Sequence, residues 1–110
     1  VNFVVKSSSS LVVSNVFNYP NPMKDNTNFT FQHNFDVPLN VDLYVYTVAG
    51  RKIQNIKRTN ISTKNVSIEW DGKDADGDYI ANGTYIYKLI VKTEDGSYSN
   101  VQTGKLAKLK

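Results

Sequence analysis

Apolar and polar positions alternate with a period of two along most of this chain, and no segment carries the three-to-four spacing of an amphipathic helix. Asn28 to His33 sets Phe29, Phe31 and His33 on one side. Val41 to Val48 sets Val41, Leu43 and Val45 against Asp42, Tyr44 and Tyr46. Asn65 to Trp70 aligns Val66, Ile68 and Trp70, and the longest run, Thr84 to Thr93, aligns Tyr85, Tyr87, Leu89 and Val91. Leu11 to Phe17, Lys52 to Thr59 and Ser97 to Leu109 read as further strands. Between them lie turn residues. Pro20 and Pro22 lack an N–H and push their predecessors towards extended geometry. Ala49-Gly50-Arg51 makes a tight turn, and Asp95-Gly96 suits the positive φ angles of a type I′ hairpin. About seven strands with turns roughly every 8–12 residues predict an all-β, immunoglobulin-like antiparallel sandwich. Val1 to Lys6 reads as a short extended piece before Ser7-Ser8-Ser9-Ser10. Residues 1–10 are therefore expected to be a linker or the end of a preceding domain, and residues 11–110 the folded unit.

Composition narrows the chemistry. A chain of 110 residues is one domain's length and buries roughly 65% of its unfolded surface without needing a metal or disulfide. Seven Tyr and five Phe are more than a disordered segment carries. The absence of Cys excludes a disulfide, a thiolate nucleophile and a Cys-ligated metal. His33, the single histidine, excludes a multi-His metal site within the chain and leaves little material for acid–base work near neutrality. No G-x-S-x-G elbow occurs. The chain by itself is thus not expected to be an enzyme. A net charge of +3 is spread among scattered lysines, apart from Lys105, Lys108 and Lys110, and forms no stripe suited to nucleic acid. No apolar run approaches a transmembrane segment. The chain opens at Val1 without a signal peptide, so it is expected to be a fragment of a longer protein.

Several features admit two readings. Asp71, Asp74, Asp76 and Asp78 around Gly77 have the oxygen density of a calcium loop, with Asp74, Asp76 and Asp78 as the candidate ligands. Gly77 as the sixth residue of an EF-hand loop, however, puts Gly72 first and Gly83 twelfth, where ligands belong. Asp and Gly capping a long turn through backbone bonds is the plainer account, and no cofactor is required. Tyr44 and Tyr46 either form an outward contact patch or cover one another. Trp70 reads as a core anchor and His33 as a strand-end residue with a hydrogen-bond partner. Tyr19 to Pro22 is either a docking motif or a rigid lead-in that protects an edge.

The order of signals is Tyr19-Pro20-Asn21-Pro22, Val48-Ala49-Gly50-Arg51, Trp70-Asp71-Gly72-Lys73-Asp74 and Asn82-Gly83-Thr84-Tyr85-Ile86-Tyr87. In this order they resemble the C-terminal domains of proteins exported by the type IX secretion system of Gram-negative bacteria, and the related Ig-like domain of flagellar hook-capping proteins. Trp-Asp-Gly and Gly-x-Tyr are common to both families, whereas the Tyr-Pro-Asn-Pro lead-in and the lysine-rich last strand point to the secretion branch. Phe29 to Asn34 and the Lys-Leu-rich end are most similar to the C-terminal domain of PorU-type, gingipain-like sortases. The resemblance implies a non-catalytic domain that targets its parent, a cysteine peptidase or sortase whose catalytic part lies elsewhere, across the outer membrane to the cell surface. It implies docking to an outer-membrane β-barrel shuttle protein and the secretion machinery. It also implies a recognition surface of Tyr19, Pro20, Asn21, Pro22, Gly50, Arg51 and the stretch from Gly104 to Lys110 with Lys105 and Lys108. A terminal edge strand there would offer free N–H and C=O groups for strand addition. The alternative is a carbohydrate- or calcium-binding accessory module of a secreted hydrolase, using Tyr44, Tyr46 and the Asp71 to Asp78 loop. A structural hook-capping module is a third reading.

Overall fold

A computed structural model describes residues 11–110. The expectations for residues 1–10 lie outside the described residues. Seven strands form two antiparallel sheets, and no helix occurs among the described residues. The strands are β1 (Val13–Tyr19), β2 (Thr27–His33), β3 (Leu39–Thr47), β4 (Lys52–Ile61), β5 (Asn65–Trp70), β6 (Gly83–Thr93) and β7 (Ser99–Lys108). One sheet has the order β1-β2-β5 and the other β4-β3-β6-β7. The result is the Ig-like sandwich expected from the alternation.

The core follows from the same alternation. Val41, Leu43 and Val45 of β3 and Tyr87, Leu89 and Val91 of β6 face Phe29, Phe31, Ile68 and Trp70 of the other sheet, all buried. Phe29 ties the layers together: its ring meets Tyr87 edge-on at 4.9 Å and lies 6.2 Å from Trp70. Edge-on contact places the positive ring edge on the negative face, a favoured aromatic geometry. Trp70 also donates its indole N–H to the Lys73 carbonyl at 2.9 Å, so the core anchor is hydrogen-bonded. His33 Nε2 lies 2.7 Å from the Thr63 carbonyl, and Nδ1 accepts the Phe35 N–H at 3.2 Å. A neutral ring with its hydrogen on Nε2 satisfies both, and the histidine is structural.

Two local features depart from the simple pattern. An extra residue between Ser14 and Phe17 bulges β1 at Asn15, whose φ is 53°. Because side chains alternate, one extra residue exchanges the faces. Asn18 is therefore buried, whereas Phe17 is 51% exposed. The second departure corrects the turn at Asp95-Gly96. Gly96 has a φ of 77°, but Asp95 is not in the positive-φ region, so the type I′ geometry is absent. The Gly96 N–H reaches the Thr93 carbonyl and the Thr93 N–H reaches the Tyr98 carbonyl, each at 2.9 Å, across a longer loop. Asp95 organises it by accepting bonds from the Ser97 N–H, the Ser97 hydroxyl and the Thr93 hydroxyl.

Candidate functional site

Tyr19 to Met23 leaves β1 and lies along the outer edge of β7, joining two segments far apart in the sequence. Asn21 does the pairing with its side chain. Its Oδ1 accepts the Ala107 N–H at 3.0 Å, and its Nδ2 donates to the Lys105 carbonyl at 3.3 Å. Met23 continues with its backbone: its N–H donates to the Ala107 carbonyl at 2.8 Å and its carbonyl accepts the Leu109 N–H at 2.9 Å. An Asn amide carries the donor and acceptor of a peptide group, so it can stand in for a strand residue. Asn18 and Thr27 brace this strap from inside: the Thr27 hydroxyl donates to the Pro20 carbonyl at 3.0 Å and accepts from Asn18 Nδ2 at 3.2 Å. Both Tyr19-Pro20 and Asn21-Pro22 are cis.

Strand β7 is indeed at a sheet edge. Yet over Lys105 to Leu109 its outward backbone groups are taken by the strap, so that half does not offer the open template expected there. Asn82 performs a similar service further on, accepting the Lys110 N–H at 3.1 Å and donating to the Lys110 carbonyl at 3.2 Å. Tyr85 of the same motif donates its hydroxyl to the Ala81 carbonyl at 2.7 Å and fixes the corner. Gly104 sits opposite Tyr87, whose ring fills the place a side chain would take.

The lysines of β7 and the one just beyond it do not share a face. Lys108 follows Leu106 inward and is 4% exposed, and Lys110 has the same parity; Lys105 points outward. Buried Lys108 and exposed Lys110 both meet the loop after β5. There Tyr79, 60% exposed, has Lys73, Lys108 and Lys110 ammoniums at 5.1, 5.5 and 5.9 Å from its ring centroid. Lys110 also bonds the Asp25 carboxylate at 2.8 Å. That hydrogen bond, reinforced by Coulomb attraction, holds the Asp25 carboxyl below and the Lys110 ammonium above its usual pKa. Tyr79 and Asp25 carried no sequence signal, because neither lies in an alternating run and their partners are distant.

The loop itself is a set of Asx turns. Asp74 Oδ1 accepts the Asp76 and Asp78 N–H groups, each at 3.0 Å, and Asp71 Oδ1 accepts the Lys73 N–H at 3.1 Å. Among the described residues no group of three or more His, Asp or Glu side chains is arranged to hold a metal ion. The Gly50–Arg51 turn follows β3, where Thr47 pairs with Tyr85, which in turn pairs with Leu106. It therefore emerges at the same end of the sandwich as Lys108, two strands away from β7. Gly50, with a φ of 95°, closes that turn by donating to the Thr47 carbonyl at 2.9 Å. The Tyr44 and Tyr46 rings lie 6.2 Å apart, with Lys52 over Tyr44 at 5.0 Å.

The family profile of the FlgD Ig-like domain matches residues 18–99. This chain belongs to the FlgD Ig-like domain family. Among solved structures, this FlgD-type Ig-like domain is similar to the crystal structure of dimeric latent PorU from Porphyromonas gingivalis, with 24% identity and a TM-score of 0.77. That likeness covers 92% of this chain and 10% of the PorU chain, so the domain spans a small part of that protein's length. FlgD from Xanthomonas campestris matches with 20% identity and a TM-score of 0.58 over 94% of this chain and 72% of its own. FlgD from P. aeruginosa matches with 25% identity and a TM-score of 0.55 over 88% and 72%. The PorU and Xanthomonas likenesses are likenesses of fold. No curated protein matches the sequence. The family match ends at Ser99, before the half of β7 that carries the strap.

Proposed function

We propose that this chain is a non-catalytic targeting and cell-surface attachment domain of a type IX secretion protein, a PorU-type sortase whose catalytic part lies outside it. The observation that carries the reading is the strap: Tyr19 to Pro22 and Gly104 to Lys110, two of the segments the resemblance names, are joined by the bonds of Asn21 and Met23 to Lys105, Ala107 and Leu109. The fold likeness to PorU, which extends beyond the family match, supports the same branch. In this reading residues 11–110 are the folded unit. Tyr19, 71% exposed, together with Pro20, Pro22 and the Gly50–Arg51 turn, faces an outer-membrane β-barrel shuttle protein. Strand addition along Lys105 to Leu109 requires the strap to leave first.

The test is a fusion of residues 11–110 to a periplasmic fluorescent reporter in a bacterium with type IX secretion. Delivery to the surface or medium is expected, and it is lost in a secretion-null strain and on deletion of Gly104 to Lys110. A reporter that stays periplasmic, or a truncation that is displayed normally, overturns the reading. Membership of the FlgD Ig-like family favours a second reading, a structural part in hook capping like that named for the Xanthomonas protein. It predicts incorporation into flagellar assemblies without dependence on Lys108 and Lys110.

A further inference from the structure

The ammoniums of Lys73, Lys108 and Lys110 gather around one exposed tyrosine ring with a single carboxylate among them. Like charges repel, and a cation over an exposed ring is only a weak attraction, so this grouping is electrostatically incomplete. The nearby acids do not complete it. Asp71 and Asp74 turn their carboxylates to backbone N–H groups, and among the described residues neither Lys73 nor Lys108 forms an ion pair, with Asp76 and Asp78 of the same loop or with any other acid. Nor are the lysines merely loose surface chains.

Each one is held by its backbone. The Lys73 carbonyl accepts from the Trp70 indole at 2.9 Å and from Gln54 Nε2 at 3.0 Å, and Lys73 bridges to Tyr79 across the loop. Lys108 pairs with Gly83 on one side and bridges to Met23 on the other, which leaves the residue only 4% exposed with its ammonium beside the Tyr79 ring. Lys110 is bracketed by Asn82, and its side chain is anchored by Asp25. The Tyr79 hydroxyl is not hydrogen-bonded to the protein among the described residues and adds a fourth donor to the group.

From this arrangement we infer that the Tyr79 ring and Lys73, Lys108 and Lys110 form a binding site for a phosphate group. A phosphomonoester carries close to two negative charges at neutral pH and three free oxygens, enough to engage three ammoniums at once. A carboxylate has one charge and two oxygens and leaves one ammonium unmatched. The site shares Lys108 and Lys110 with the segment the targeting proposal names but does not rest on that proposal: it could serve a soluble phosphorylated ligand or a lipid headgroup.

The test titrates inorganic phosphate into the 110-residue chain at constant ionic strength and follows the Tyr79 ring and lysine side-chain resonances by NMR. Saturable shifts are expected, with affinity weakened about tenfold by Lys108→Met, which keeps the buried stem, and by the more exposed Lys73→Met. Lys105→Met, on the opposite face, is expected to change nothing. Flotation with phosphatidylcholine vesicles, with and without phosphatidic acid, separates the sources. Binding to phosphatidic acid as well as free phosphate identifies a headgroup site, and binding to free phosphate alone identifies a soluble ligand. Shifts that do not saturate overturn the proposal, as does a loss from Lys105→Met equal to that from Lys73→Met. The Lys73→Met arm stands even if Lys108→Met fails to fold.

Discussion

Replacing Gly104 by Ala should destabilise the domain although the residue lies in an edge strand and has ordinary backbone angles. A Cβ added there would stand 2.8 Å from Tyr87 Cε2 and closer still to Cζ and Oη. Carbon atoms in contact normally sit about 3.5–4.0 Å apart, so the ring must move. It has little room: Tyr87 is buried and packs against the Phe29 ring at 4.9 Å. Overpacking a filled site of this kind costs about 1–3 kcal/mol. Removing glycine's freedom in the unfolded chain offsets about 0.5–1 kcal/mol of that. The net expectation is a loss of about 1–2 kcal/mol, or a Tm lowered by roughly 4–15 °C at this chain length. Urea unfolding followed by Trp70 fluorescence measures it, since Trp70 is the single tryptophan and lies in the core. In a double-mutant cycle, Tyr87→Leu should recover part of the Gly104→Ala loss, because the two residues share one space. A Gly104→Ala protein as stable as the wild type, or costs that simply add, would refute this account of the glycine.

Asn21→Ala removes the side-chain bonds to Lys105 and Ala107. Two surface bonds at about 0.5–1.5 kcal/mol each predict a loss of about 1–2 kcal/mol, with faster hydrogen exchange at the Ala107 N–H. Unchanged protection there would mean that the strap is held by Met23 alone. Gly72→Ala should be worse than Gly104→Ala: Gly72 has a φ of 78°, and an added Cβ runs into the Asp25 carbonyl oxygen and stands 3.0 Å from Met23 Cε. Backbone strain of about 1 kcal/mol adds to a clash with main chain that cannot rotate away, and the measurement is the thermal midpoint. Asp95 supplies a pH test. The Ser97 hydroxyl, then the Ser97 N–H and the Thr93 hydroxyl, lower its carboxyl from 3.8 to about 2. A carboxyl depressed in the fold contributes fully above its unfolded pKa, and the contribution fades as pH falls from 3.8 through about 2. Asp95→Asn should therefore flatten the acid-induced loss of stability in that window, and an unchanged acid profile would count against the bonds at Asp95.

The alternation in Phe29–Phe31, Val41–Val45, Val66–Trp70 and Tyr85–Val91 was enough to read the sandwich, because each of these strands has one buried and one solvated face. The same logic failed at β1. A bulge at Asn15 costs one residue of phase and leaves no mark in the composition, so neither the exposure of Phe17 nor the burial of Asn18 could be read from the pattern. The Asp71–Asp78 loop was legible because Asx turns are local, each carboxylate reaching an N–H two to four residues ahead. The strap was not, because Asn21 acts on residues of the last strand that no periodicity links to it.

That difference explains what the asparagines of the two motifs do here without any appeal to a partner. Asn21 and Asn82 each use a side-chain amide to complete the pairing of a segment whose backbone neighbour has run out, one along Lys105 to Ala107 and one at Lys110. The strand they finish ends at Lys108, which is buried, and exposed Lys110 follows just beyond it; both ammoniums reach the Tyr79 ring. The Asp-rich loop supplies that ring, because its turns project Tyr79 towards the lysines while engaging the Asp71 and Asp74 carboxylates with backbone N–H groups. Lead-in, loop and last strand are thus one construction: removing the Asn21 bonds should loosen not only the edge of β7 but also the register that brings Lys108 to Tyr79. Phosphate affinity in Asn21→Ala should accordingly fall although no charged group has been touched, and an affinity equal to the wild type's would show that the lysine cluster is positioned by the loop alone.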